Sequence, residues 1–164
     1  MQSLIRMSTL RNVPVVLGQQ RIGLLQSVCF DKELKRICAL IVSGGVHGKR
    51  IVQAQHVRMI TREFILVDCW AKHTRSDKQQ ISFFVRDTTG LLIGRVTDYA
   101  IETEEMRISA IEIVPGYLPR DLRKRTWICE YTFSEHLGEV SIPDILYSRL
   151  CFSKEGNVVC ECPP

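Results

Sequence analysis

The chain has 164 residues, 45% of them hydrophobic and 24% charged, which is enough apolar material for one buried core or two small ones. Its 10 Gly and 6 Pro exclude a collagen-like or low-complexity protein. The formal charge of +4 is unevenly placed: residues 1–75 carry 12 Lys/Arg against 4 Asp/Glu, net +8, and residues 76–164 carry 10 against 14, net −4. Such a split suits an anionic partner for the first half, or attraction of the halves to each other or to a second copy.

The longest apolar runs, Val13–Leu17, Cys38–Val42 and Phe64–Val67, fall far short of the roughly 20 residues that cross a bilayer. Met1–Arg6 is too short to be the apolar region of a signal peptide, so the expected compartment is the cytoplasm. Cysteine usage agrees: Cys29, Cys38, Cys69, Cys129, Cys151, Cys160 and Cys162 are odd in number and form no regular framework. Most of them read as small core hydrophobes.

In chain order, short Ile/Val/Leu-rich segments alternate with charged or Gly-containing turns. Strands are expected near Pro14–Leu17, Ile22–Phe30, Arg36–Val42, Arg50–Ala54 and Phe64–Asp68, with turns at Gly18–Gln20, Asp31–Lys35 and Ser43–Lys49. A polar stretch, Ala71–Gln80, then reads as a linker. Beyond it the pattern returns. Sliding Arg21–Gly45 by 71 positions onto Leu92–Gly116 gives seven identities in 25, among them Ile22/Ile93, Gly23/Gly94, Arg36/Arg107, Ala39/Ala110 and Gly45/Gly116. Two copies of one small β unit are therefore expected, over residues 1–72 and 80–164. Gly23 and Gly94, inside strands, suggest a bulge where the sheet curls, and several strands in about 70 residues favour a closed barrel.

The string Leu10–Leu25 with its Ile22-Gly23 pair, then Cys38–Gly45 and Arg50–Val52, resembles the PRC-barrel family, and the second copy matches at Thr89–Asp98. The resemblance implies an all-β fold of two tandem PRC-like barrels, each with a strand leading to a short helical turn. It also implies a non-enzymatic docking role, as in the cytoplasmic part of the photosynthetic reaction-centre H subunit and the C-terminal domain of a ribosome maturation factor. A protein partner is expected, with RNA or the ribosome as the alternative.

After Gly116 the copies diverge. Placing Ile142-Pro143 on Val52-Gln53 gives the second copy an insert of about 19 residues; placing Trp127–Cys129 on Arg50–Val52 gives a smaller one and a C-terminal extension. Both alignments stay open. The segment holds Tyr117, Arg120, Arg123, Lys124, Arg125 and Trp127, the candidate binding residues, because arginine forks and aromatic rings contact phosphates, bases and protein hot spots.

Sites for chemistry are weaker. Gly44–Arg50 lacks the Gly and Ser/Thr positions of a phosphate loop. Cys160-Glu161-Cys162, with Cys151, has no second ligand pair at zinc-like spacing. Cys69 and His73 fall at a strand end and in the linker, and Glu102, Glu104 and Glu105 read as a solvated hairpin tip. No catalytic residue, metal or cofactor is expected.

Overall fold

The structure, a computed structural model, describes residues 4–44, 48–69, 72–73, 83–116 and 125–143. These form an all-β fold with one four-residue helix, α1 (Met7–Leu10), and one 3-10 turn (Ala54–His56). The strands are β1 (Leu4–Arg6), β2 (Pro14–Leu17), β3 (Gln20–Phe30), β4 (Ile37–Ser43), β5 (Lys49–Gln53), β6 (Val57–Ile60), β7 (Ile65–Val67) and β8 (Lys72–His73). They continue with β9 (Phe84–Arg86), β10 (Leu92–Glu102), β11 (Arg107–Pro115), β12 (Thr126–Ile128), β13 (Thr132–Ser134) and β14 (Glu139–Ser141). No helix among the described residues is long and apolar enough to cross a membrane.

The chain divides into two compact units, Met1–Ile81 with Ala100–Ile108, and Ser82–Tyr99 with Ser109–Pro164. In the first, one curled sheet runs in the order β6-β7-β2-β3-β4-β5-β8. In the second the order is β13-β14-β9-β10-β11-β12, which repeats the first six places strand for strand. The parallel pair recurs too: β2 lies parallel to β7, with Val15 opposite Ile65, and β9 parallel to β14, with Val85 opposite Val140. Among the described residues β2 with β3, β3 with β4, β4 with β5, β5 with β8, β6 with β7, β9 with β10, β11 with β12 and β13 with β14 pair antiparallel.

The Ile-Gly pair is the bulge expected from sequence, in both copies. Between β2 and β3 the register jumps from Val15↔Gly23 to Val16↔Arg21, leaving Ile22 unopposed. Between β9 and β10 it jumps from Arg86↔Leu92 to Val85↔Gly94, leaving Ile93 unopposed. The glycine that follows is needed for space. A Cβ on Gly23 would sit 2.3 Å from the Ser43 carbonyl oxygen and 2.5 Å from Val42 Cγ1. In the second copy the backbone of Gly116 donates to the Ile93 carbonyl at 3.1 Å.

Ala39, Leu40, Ile41 and Val42 of β4 are all buried, as are Ala110, Ile111, Glu112 and Ile113 of β11. Simple alternation fails there because both faces of these strands are covered. The tip of the second hairpin is grouped with the first unit through backbone bonds: β1 pairs with Ala100–Glu102, Ile37 N–H donates to the Met106 carbonyl at 2.9 Å, and Ile108 N–H to that of Lys35 at 2.8 Å. These donors and acceptors exchange under the 71-residue offset, so the two hairpin tips present the same groups to each other.

Several local expectations need correction. Glu102 is buried, not solvated, and takes a forked pair of bonds from Arg107, Nε to Oε2 at 3.1 Å and Nη2 to Oε1 at 3.3 Å. The guanidinium offsets the cost of desolvating the carboxylate. Cys38 is exposed, and Cys29, Cys69 and Cys129 are half-buried, so none of the described cysteines is a core residue. Lys72-His73 of the expected linker pairs with Arg50-Ile51 as a short strand.

Replacing Gly23 by Ala is expected to lower stability by about 1–3 kcal/mol, the cost of overpacking against backbone that cannot swing aside. Chemical denaturation of the variant checks this.

Candidate functional site

Of the sequence-nominated binding residues, Arg125 and Trp127 lie within the described structure, while Tyr117, Arg120, Arg123 and Lys124 lie outside it, as do Cys151, Cys160 and Cys162. Trp127 is half-buried on β12, opposite Glu112 of β11. Because Thr126, Trp127 and Ile128 oppose Ile113, Glu112 and Ile111, they stand where Arg50, Ile51 and Val52 stand opposite Val42, Ile41 and Leu40. This selects the alignment with the smaller insert, displaced by one residue from Trp127–Cys129. Ile142 instead follows β14.

Glu112 occupies the place that Ile41 holds in the first copy, and it is 1% exposed. Its Oε2 accepts the Thr97 hydroxyl at 2.8 Å and faces Arg125 Nη1 at 3.9 Å. Its Oε1 is buried without a hydrogen-bond partner among the described residues. A buried carboxylate oxygen left unpaired costs stability, so its presence where an isoleucine fits the same fold marks a position not selected for packing.

The second feature of this unit is the solvent face of its sheet. Phe84 and Arg86 of β9 alternate with buried Val85, so both point outward. Their cross-strand partners on β10 are Arg95 and Leu92, and on β14 they are Glu139 and Ser141. Phe84 is 54% and Leu92 44% exposed, and Leu91, 58% exposed, precedes β10. Arg86 Nε donates to Glu139 Oε1 at 2.9 Å between them. Arg95 is exposed beside Phe84. Beneath this face, Phe83 and Phe133 meet edge to face with ring centroids 4.8 Å apart.

The loop that presents Leu91 and Leu92 is knotted by Asp87. Its Oδ1 accepts the Thr89 hydroxyl at 2.7 Å and the backbone N–H groups of Leu91 at 2.8 Å and Thr89 at 2.9 Å, and Gly90 closes the turn at φ +87°. The Thr89 hydroxyl bond, aided by the backbone bonds from Leu91, Thr89 and Gly90 and opposed by partial desolvation, holds the Asp87 carboxyl below its ordinary 3.8.

Sequence reasoning reads Cys69 and His73 as a strand end and a linker residue without a catalytic role, and the His73 side chain lies outside the described residues. The structure brings Cys69 together with His56 and Asp68 in the first unit.

Two expectations follow. Glu112→Ile should be neutral or stabilising, by up to about 1–3 kcal/mol, because it removes an unpaired buried oxygen and installs the residue the first copy uses; thermal denaturation reads the sign. Asp87→Ala should melt lower at neutral pH. Since the folded carboxyl is the stronger acid, its stabilisation is present above the unfolded value of 3.8 and disappears as pH falls through the lower folded value, so the two melting curves should converge in acid.

Compared with models of known protein families and with curated proteins, the chain matches none. The functional reading therefore rests on the geometry of these two units.

Proposed function

We propose that the chain is a non-enzymatic interaction protein built from two PRC-barrel-like modules, and that it docks a protein partner on the solvent face of the second sheet. The observation that carries this reading is the pair Phe84 and Leu92, two large apolar side chains about half exposed on one sheet face. Single exposed apolar residues are ordinary, but two on one sheet face with charged groups around them have the anatomy of a protein contact, an apolar centre and a polar rim. The exposed Arg95 beside Phe84 and the exposed Arg125 of the same unit set the partner's chemistry: an acidic segment with an apolar anchor. Tyr117, Arg120, Arg123, Lys124 and Trp127 extend the same reading from the sequence. The resemblance to a family of docking barrels supports it, as does the repeated sheet order.

The test is capture from lysate at two salt concentrations, with and without ribonuclease, comparing the chain with a Phe84→Ser/Leu92→Ser variant. Both positions are exposed, so the variant should melt within a few degrees of the parent and yet lose most of the captured protein. Capture of the parent should persist at the higher salt, since apolar contact is not screened. Unchanged recovery by the variant would remove this face from the account. Recovery abolished by ribonuclease and falling steeply with salt would favour the RNA-associated alternative suggested by the basic first half.

A further inference from the structure

His56 ends the 3-10 turn that follows β5, and Asp68 and Cys69 follow β7. Their side chains are separated by a dozen residues in the chain, but the Asp68 N–H donates to the His56 carbonyl at 3.0 Å and locks the two segments together. One nitrogen, one oxygen and one sulfur from these residues lie within 4.8 Å of one another. We propose that His56, Asp68 and Cys69 form a binding site for a divalent metal ion of the zinc class, with three protein ligands and a fourth position open to solvent or to a ligand.

The donor set selects the metal. An imidazole, a carboxylate and a thiolate together suit a borderline ion such as Zn²⁺, while Mg²⁺ and Ca²⁺ take oxygen donors only. Bonds of about 2.0–2.3 Å in a tetrahedral site place ligand atoms roughly 3.3–3.8 Å apart, so the widest separation, at most 4.8 Å, closes by about 1 Å while His56 Nδ1 and Asp68 Oδ1, 2.9 Å apart, move slightly away from each other. All three are partly exposed.

The surrounding groups fit ligation. His56 Nδ1 faces Asp68 Oδ1 at 2.9 Å, and its Nε2 lies 3.2 Å from the Gln55 side-chain amide. With that amide turned so that its oxygen accepts an Nε2 proton, the Nδ1 lone pair is left for the metal, the arrangement by which outer partners orient ligating histidines. Arg58 does not block the site, because it binds the other carboxylate oxygen, Oδ2, and leaves Oδ1 available. It serves as the carboxylate's outer partner. Among the described residues the second copy lacks the Asp68 ligand: Ile65 and Val140 hold the same place opposite Val15 and Val85, so Pro143 stands where Asp68 stands, and proline offers no ligand. None of the three residues has a recognisable metal spacing in sequence, which is why the cluster becomes visible only through the β5–β7 turnback.

The probe is Co²⁺, whose thiolate complexes absorb in the near ultraviolet and whose tetrahedral complexes show intense visible bands. The full chain carrying Cys160→Ser and Cys162→Ser, which removes the other close thiol pair, should bind one Co²⁺ displaceable by Zn²⁺ and melt at a higher temperature with Zn²⁺ present. Adding Cys69→Ser should abolish the near-ultraviolet band, and adding His56→Gln should weaken binding by about tenfold or more. Circular dichroism spectra that match the parent show that these variants remain folded. Absence of any bound Co²⁺, or a band and affinity unchanged by Cys69→Ser, would overturn the proposal.

Discussion

A bulge at an Ile-Gly pair governs the shape of each sheet, and in the first unit it rests on the approach of a backbone carbonyl to a position without a side chain. At Gly23 the Ser43 carbonyl comes so close that a single added carbon would overlap it, and one residue earlier Ile22 stands unopposed in the ladder. A bulge shortens one strand's effective length against its neighbour and increases local twist, so a long strand can serve two partners whose directions differ. That is how β3 pairs with β2 at one end and with β4 along most of its length. The same device at Ile93-Gly94 lets β10 serve β9 and β11. Once the long hairpin is curled in this way, the return of β7 to the free edge of β2 as a parallel strand, and of β14 to β9, follows in both copies.

Each candidate site is a departure from this shared plan. The zinc-class cluster arises where the first copy's turn after β5 meets the end of β7, and the corresponding place in the second copy holds Pro143. The buried Glu112, its Thr97 partner and the Trp127 and Arg125 beside it arise where the first copy has Ile41 and Ile51. The exposed Phe84 and Leu92 replace Pro14 and Arg21 at the positions set by the two bulge registers. The strand order common to both sheets fixes the backbone, and each sheet then varies at positions where packing does not dictate the residue.

The scaffold was largely legible in the sequence and the sites were not. Pro14–Leu17 is a strand with the bounds its composition suggested, and the Ile-Gly pairs marked the bulges because glycine inside a strand has few other uses. The short strand Val57–Ile60 escaped notice, since Val-Arg-Met-Ile carries little alternation and no turn residue announces it. Trp127–Cys129 was one residue out of register because apolar content alone does not choose between adjacent phases of a period-2 pattern. Glu112 falls in the register of Ile41, and which groups meet its carboxylate, Thr97 and Arg125, depends on cross-strand placement that no local pattern contains. The His56, Asp68 and Cys69 cluster depends on a backbone bond between segments 12 positions apart, information that no local pattern contains.

The claim beneath all of this is that one curled sheet occurs twice with the same strand order. Nuclear Overhauser contacts between backbone protons of the isotope-labelled chain test it most directly. The account predicts parallel-strand contacts between Val15 and Ile65 and, independently, between Val85 and Val140. Finding the first set with Val140 paired to any strand other than the one containing Val85 would contradict the duplicated topology and, with it, the placement of the docking face.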